Sequence, residues 1–185
     1  MQGLAAVGTL VISVLVALRL IPDTPLNPSN PDPSAVASVI QGSVEEELAR
    51  SVVQVQMMSG GEMVGWGSGT VISDDGLILT NAHVATPDDV ELDDLVIAVT
   101  DTPDAPPEAR YHAEVVAADA VLDLAIIRIT ESMGGGPYDG ALEPIPIGDS
   151  DAVGIGDEII ILGYPSVGGD TITLTYGRVS GFTAN

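Results

Sequence analysis

A histidine and an aspartate, forty residues apart, are the side chains whose types and surroundings point most directly to chemistry. His83 lies near the end of Gly67-Ser-Gly-Thr-Val-Ile-Ser-Asp-Asp-Gly-Leu-Ile-Leu-Thr-Asn-Ala-His-Val84, which predicts a strand, a tight turn at Asp75-Gly76 and a second strand. Asp123 stands at the start of the apolar run Leu-Ala-Ile-Ile-Arg-Ile129. A carboxylate there is costly unless it is paired, and an imidazole is a natural partner, because the carboxylate fixes the ring tautomer and stabilises the imidazolium. The two residues are therefore candidates for a general base and its orienting carboxylate.

The elements that would position these residues are predicted to be short strands. Apolar Val53, Val55 and Met57 alternate with two glutamines, as in a half-buried strand, and no helical pattern of useful length interrupts the body that follows. Many short strands separated by turn residues favour a sandwich or a barrel, so the predicted fold class is all-β. The further predicted strands are 69–73, 77–80, 95–99, 113–118, 124–129, 158–162, 171–175 and 178–182.

The composition excludes several classes of function. The 185 residues carry 27 acidic and five basic side chains, all of the latter Arg, for a formal net charge of −22. Nucleic-acid binding needs a basic footprint, so it is not expected. The absence of Cys excludes disulfides, thiolate metal sites and a cysteine nucleophile. The excess of acid also suggests a saline habitat, because salt screens the self-repulsion of such a surface.

The first 50 residues differ from the rest of the chain. Residues 1–18 carry no charged side chain, and residues 4–18 are nearly all apolar, a length between that of a signal-peptide core and that of a membrane span. Residues 1–21 are interpreted as an uncleaved signal anchor that forms a hydrophobic transmembrane helix; a cleaved signal peptide and a buried helix are the alternatives. Residues 22–50 are interpreted as a Pro-rich linker followed by a short helix.

The histidine run and the later Asp-Leu-Ala-Ile-Ile-Arg-Ile together resemble the trypsin-like serine peptidases, and more narrowly their HtrA (Deg) branch. The resemblance covers about residues 51–182, and the order of apolar segment, spacer and body is similar to that of anchored members. Four later segments fit the same branch: Ile147-Gly-Asp-Ser-Asp151, Val153-Gly-Ile-Gly-Asp157, Leu162-Gly-Tyr-Pro165 and Gly177-Arg-Val-Ser180.

This resemblance implies a chymotrypsin-like double β-barrel with the active site between the barrels. Residues 51–148 would form the complete first barrel, which supplies His83 as general base and Asp123 as its partner, and residues 149–185 would begin the second. The family places the nucleophile serine in a Gly-Asn-Ser-Gly-Gly type of loop, but no Gly-x-Ser-Gly-Gly occurs in this sequence. The chain is therefore interpreted as the N-terminal portion of a serine endopeptidase, inactive alone. The resemblance implies polypeptide substrates and no cofactor, and it is compatible with an oligomer. The signal anchor would place the protein in the cell membrane as a single-pass protein, with the peptidase body outside the cytoplasm.

Other serine, histidine and acidic residues suit a catalytic or metal-binding role less well. Ser150 follows Gly-Asp as a nucleophile would, but Asp151 and Ala152 stand where glycines should permit the oxyanion turn. Ser68 is assigned to close packing, and His112 to a solvated strand position. No metal is expected, since the histidines lack ligand spacing and the acidic pairs at 88–89 and 93–94 suit solvated loops, with weak Ca²⁺ binding as the alternative. A non-catalytic pseudoprotease or a peptide-binding β-barrel module at the membrane remains the rival interpretation.

Overall fold

A closed, six-stranded antiparallel barrel forms most of the protein. The computed structural model describes residues 15–16, 48–165 and 170–182. Its strands are β2 (Val52–Ser59), β3 (Glu62–Val71), β4 (Leu77–Thr80), β5 (Asp94–Val99), β6 (Glu108–Asp119) and β7 (Leu124–Ser132). Around the barrel the strand order is β2-β3-β4-β7-β6-β5, and β5 pairs with β2 to close it. This barrel confirms the all-β prediction.

A second, three-stranded sheet follows the barrel. It consists of β1 (Leu15–Val16), β8 (Glu158–Gly163) and β9 (Thr173–Arg178), with β8 in the centre and both pairings antiparallel. The sequence predicted two strands at 171–175 and 178–182, whereas the structure has only β9 there. The reason is the partner strand: β9 runs antiparallel to β8 and ends at Arg178, opposite Glu158, the first residue of β8.

The hydrophobic helix predicted for residues 1–21 lies outside the described residues except at Leu15–Val16. The backbone of these two residues is extended, not helical, and pairs with Ile160 and Ile161. Without β1, β8 would be an edge strand with unpaired N–H and C=O groups along one side, and these groups allow a further strand to pair with it. Within the described ranges no helix is long and apolar enough to cross a membrane. Of the predicted linker and short helix, only residues 48–50 are described, and they are helical.

The barrel interior is packed with aliphatic side chains from every strand. Alternation along the strands explains this: on β4, Ile78 and Thr80 are buried while their neighbours are half-buried. A smaller apolar cluster joins the second sheet to the barrel through Val52 and Tyr164. The side chains with no exposed surface at the centre of the barrel are Val53, Val55, Val71, Ile78, Ile97 and Ile127.

Gly69 of β3 lies where the barrel leaves no room for a side chain. A Cβ there would come within 2.6 Å of Ile78 Cγ2 and 3.0 Å of Val55 Cγ2, and these stiff β-branched side chains are fully buried. We expect Gly69→Ala to lower the free energy of unfolding by about 1–3 kcal/mol, measured by urea denaturation. Gly134→Ala is the matched control, because its Cβ would meet nothing within 4 Å, and it should change stability by less than about 0.5 kcal/mol. Equal stability of the two variants would contradict this packing.

Candidate active site

His83 is delivered to the surface of the barrel by a one-turn helix. The helix, Ala82–Ala85, follows β4 directly, so His83 lies just after the predicted second strand and on a helix. The turn forms there because Val84 is buried against β3, where Gly67 leaves space: a Cβ on Gly67 would lie 2.5 Å from Val84 Cγ2. This packing fixes the helix and leaves the His83 side chain 36% exposed.

Asp123 occupies the turn between β6 and β7. Asp119 shapes this turn, since its Oδ1 accepts the N–H groups of Val121 and Leu122 at 2.9 and 3.0 Å. Asp123 then adopts φ 53°, and among the described residues it is the one non-glycine residue with positive φ. Such a conformation costs about 1–3 kcal/mol and persists where the surroundings hold it. Asp123 immediately precedes β7, as the sequence predicted.

The two side chains meet, although they are forty residues apart. Asp123 Oδ2 and Oδ1 lie 2.8 and 2.9 Å from His83 Nδ1, and Oδ1 also accepts the backbone N–H of His83 at 3.0 Å. Asn81 Nδ2 donates to Asp123 Oδ2 at 3.2 Å and to its carbonyl oxygen at 3.1 Å. The contact between imidazole and carboxylate that the sequence predicted is therefore present.

Hydrogen bonds determine the charge state of Asp123. Burial raises its pKa, but the bonds from the His83 backbone and ring, the charge of His83 and the bond from Asn81 outweigh burial and bring the pKa below its ordinary value. The carboxylate is thus ionised near neutral pH and accepts the Nδ1–H of His83. In that tautomer Nε2 carries a lone pair. Nε2 is buried, and no side chain or backbone group of the described residues hydrogen-bonds to it. The pair can therefore take up a proton at Nε2.

Ser68 is a structural residue, as the sequence indicated. Its side chain is buried, and its Oγ accepts the backbone N–H of Tyr164 at 2.8 Å. Thr80 Oγ1 donates to the Ser68 carbonyl at 2.8 Å, just before the helix that carries His83. Ser68 thus connects the second sheet to the barrel. The Tyr164 hydroxyl is buried and unpaired within the described part of the chain, and burial raises its pKa to about 12.

The other candidates of the sequence lie elsewhere. His112 is not simply solvated: its Nδ1 lies 2.6 Å from Asp94 Oδ2, and both side chains are about 30% exposed. Ser150 starts an exposed 3₁₀ turn, Ser150–Ala152, and makes no hydrogen bond to His83, whose Nε2 has no partner in the described part of the chain. Across the described ranges, no three His, Asp or Glu side chains are grouped as metal ligands would be.

Sequence reasoning gave Asn81 no role, although it is the third member of this group. The residue directly precedes the helix that carries His83, where Asn is commonly found as an N-cap, so nothing in its type distinguished a capping role from a contact to Asp123. The contact depends on the turn that returns the chain beside β4, and that turn is forty-two residues away.

Comparison with known proteins supplies the wider context. A family described as "Trypsin-like peptidase domain" matches residues 67–185. Among curated proteins, the magnetosome formation protease MamE of Magnetospirillum gryphiswaldense is 33% identical over 62% of this chain and 13% of its own length. Serine protease HTRA4 of Mus musculus is 33% identical over 71% of the chain and 25% of its own length. A probable periplasmic serine endoprotease, DegP-like, of Ectopseudomonas mendocina is 28% identical over 65% of the chain and 22% of its own length.

A solved structure has the same fold. The crystal structure of the serine endoprotease from Yersinia pestis superposes with a TM-score of 0.57 and 27% identity, over 82% of this chain and 46% of that one. The chain spans a quarter or less of the length of the three curated relatives. The family match covers more than half of the chain and includes both His83 and Asp123. The chain therefore belongs to the family of trypsin-like peptidase domains, in its HtrA (Deg) branch.

Proposed function

We propose that this chain carries the general base and the orienting carboxylate of an HtrA-like serine endopeptidase acting on polypeptides. One observation carries the proposal: His83 Nδ1 is held by the Asp123 carboxylate at 2.8 Å, while Nε2 has no hydrogen-bond partner among the described residues. Membership of the trypsin-like peptidase domain family and the serine proteases among its relatives support the same activity.

The chemistry follows from the state of the pair. His83 Nε2 takes the proton of the nucleophile hydroxyl as its oxygen bonds to the peptide carbonyl carbon, and Asp123 remains ionised and stabilises the imidazolium. The protonated His83 then gives that proton to the leaving amine, which breaks the C–N bond and leaves an acyl-enzyme. A water molecule then attacks the ester carbonyl carbon as His83 takes one of its protons. His83 returns that proton to the serine oxygen as the ester C–O bond breaks, which releases the acid and restores the serine. No cofactor enters any step.

The nucleophile is proposed to come from outside these 185 residues. No Gly-x-Ser-Gly-Gly occurs in the sequence, and the relatives are at least four times as long as the part that this chain spans. In this proposal residues 51–148 are the first barrel, and residues 149–185, which include β8 and β9, begin a second. The glycine-rich loop that bears the serine would also provide the backbone N–H groups of the oxyanion hole.

The membrane placement is a separate proposal. Residues 1–21 are proposed as a single-pass anchor with the peptidase body outside the cytoplasm, supported by the uncharged first 18 residues and by the periplasmic relative. The pairing of Leu15–Val16 with β8 is a competing arrangement for the same segment. Protease-protection mapping in membrane vesicles separates the two, and a body shielded on the cytoplasmic side would contradict this placement.

The experiment on activity compares residues 1–185 with the same chain joined to the segment that follows it in its gene. The longer protein should hydrolyse an unfolded polypeptide and be labelled by a serine-directed fluorophosphonate, whereas residues 1–185 should do neither. Loss of one oxyanion donor alone costs ~10²–10³-fold in rate, and here both the donors and the nucleophile would be missing. Turnover by residues 1–185 that is lost on mutating Ser150 would contradict the proposal.

The second candidate function is a pseudoprotease that binds peptides without cleaving them. The observation that favours it is the absence of a Gly-x-Ser-Gly-Gly sequence from the chain. A longer gene product that binds an unfolded polypeptide, resists fluorophosphonate labelling and releases no fragments would establish this function in place of hydrolysis.

A further inference from the structure

Asn81 is, apart from His83, the one side chain of the described residues that hydrogen-bonds Asp123. We propose that Asn81 is a positioning residue: its side-chain amide holds the Asp123 carboxylate in the orientation that receives the Nδ1–H of His83. The inference rests on the proposed function only in calling the pair catalytic. The geometry and its test concern this chain alone.

The contact fixes the aspartate at two points. Asn81 Nδ2 reaches both the carbonyl oxygen of Asp123, at 3.1 Å, and its carboxylate Oδ2, at 3.2 Å. A group that bonds the backbone and the side chain of one residue fixes that side chain relative to its own turn. This matters here because Asp123 has φ 53°, a conformation that must be held by its surroundings. Oδ2 is also the oxygen nearest to His83 Nδ1, so the same contact sets the position of the ring.

The side-chain amide of Asn81 does not cap the helix that follows it, although Asn81 occupies the N-cap position. Asn81 is the N-cap of the helix Ala82–Ala85, and an N-cap asparagine commonly accepts a backbone N–H of the first turn with its side chain. Here the Asn81 side chain makes no capping hydrogen bond, and the backbone N–H groups of Val84 and Ala85 bond instead to the Asn81 carbonyl, both at 3.2 Å. The side chain is directed to Asp123.

The chemistry of the amide suits this task. Its nitrogen carries two hydrogens, one for each of the two Asp123 oxygens, and it adds no charge beside the carboxylate. A serine at position 81 would keep a good N-cap residue but bring a single donor on a shorter arm. An alanine would remove the donors and is also a poor N-cap residue. Serine therefore separates the two possible roles of Asn81.

The experiment is imidazole ¹⁵N NMR of the 185-residue chain near neutral pH. The sequence contains two histidines, so the ring spectrum holds two sets of signals, and His112 with its partner Asp94 is an internal reference. In the parent chain His83 should be the Nδ1–H tautomer. In both Asn81→Ser and Asn81→Ala, His83 should shift predominantly to the Nε2–H tautomer, while the His112 signals stay unchanged.

Three results would overturn the inference. If His83 stays in the Nδ1–H tautomer in both variants, Asn81 does not position the pair. A loss confined to Asn81→Ala, with Asn81→Ser like the parent, would assign Asn81 to helix capping. Equal changes at His83 and His112 would show that Asn81 supports the structure as a whole and not this pair.

In the active longer protein, Asn81→Ser should lower kcat by ~10²-fold with KM unchanged, as misplacement of a catalytic group does. An inactive longer protein would contradict the proposed function but leave the tautomer result standing.

Discussion

Replacing His83 with alanine is expected to lower kcat for peptide hydrolysis about 10⁶-fold in the protein that joins this chain to its nucleophile. His83 is the group that removes the hydroxyl proton and returns it to the leaving amine, and no other base lies within hydrogen-bond reach of Asp123 in the described part of the chain. The measurement is the steady-state rate on a peptide that the parent protein cleaves. KM should change little, because the ring contributes to the transition state more than to binding of the ground state.

The chain offers a matched control in its second histidine. His112 also bonds an aspartate through Nδ1, at 2.6 Å, and is about as exposed as His83. His112→Ala therefore removes an equivalent pair from the barrel surface and should leave kcat within about twofold of the parent, as expected for a surface change that destabilises little. A His83→Ala variant that retains a tenth of the parent kcat, or a His112→Ala variant that loses as much as His83→Ala, would refute the assignment.

How far the sequence predicts this protein depends on the range of the interactions involved. The predicted strand 77–80 matches β4 in full, because its pattern of alternating burial and the turn before it are local. The contact between His83 and Asp123 was also predictable, since the types and flanking residues of both are characteristic. The backbone conformation of Asp123, with φ 53°, and its hydrogen bond from Asn81 were not predictable. Both depend on how the turn between β6 and β7 packs beside β4.

The pairing of His112 with Asp94 shows the same limit. Val96 lies opposite His112 in the β5–β6 ladder, and Asp94 is two residues further along β5, so the two side chains are diagonal neighbours on one face. The register that creates this contact includes an irregularity between Ile97 and Ala98. Alternation along a single strand predicts on which face of the sheet each side chain lies, but it does not predict which residue of the neighbouring strand lies opposite. His112 was therefore predicted to be solvated.

Because the net charge is −22, it matters which carboxylates the few arginines contact. Three of the arginines that the structure describes each contact a carboxylate on the surface: Arg110 with Asp101, Arg128 with Asp75 and Arg178 with Glu158. None of these arginines bonds Asp123, whose hydrogen-bond partners within the described ranges are the Asn81 amide and the backbone and ring N–H groups of His83. A fixed cation there would compete with the imidazolium for the carboxylate. Neutral donors hold the orientation and leave the charge for His83.

Because the negative charge of Asp123 acts on His83, we also expect a large fall in kcat for the variant Asp123→Asn. Asparagine tolerates the left-handed backbone of this turn, so the substitution removes the charge without forcing a new φ. Its amide would donate to His83 Nδ1, which moves the ring proton to Nε2 and removes the lone pair that accepts the hydroxyl proton. We expect kcat near neutral pH to fall ~10⁴-fold, as loss of the correct tautomer does in a triad.

Asp94→Asn is the control for this change, because it removes one carboxylate from the equivalent pair with His112 and should leave kcat within about twofold of the parent. The double variant His83→Ala, Asp123→Asn gives the stricter test. If Asp123 acts only through His83, removing it from a protein that already lacks the ring costs nothing further, and the double variant should be as slow as His83→Ala alone, because residues that act as a unit are non-additive. Losses that multiply would mean that Asp123 acts on the reaction by a route other than His83.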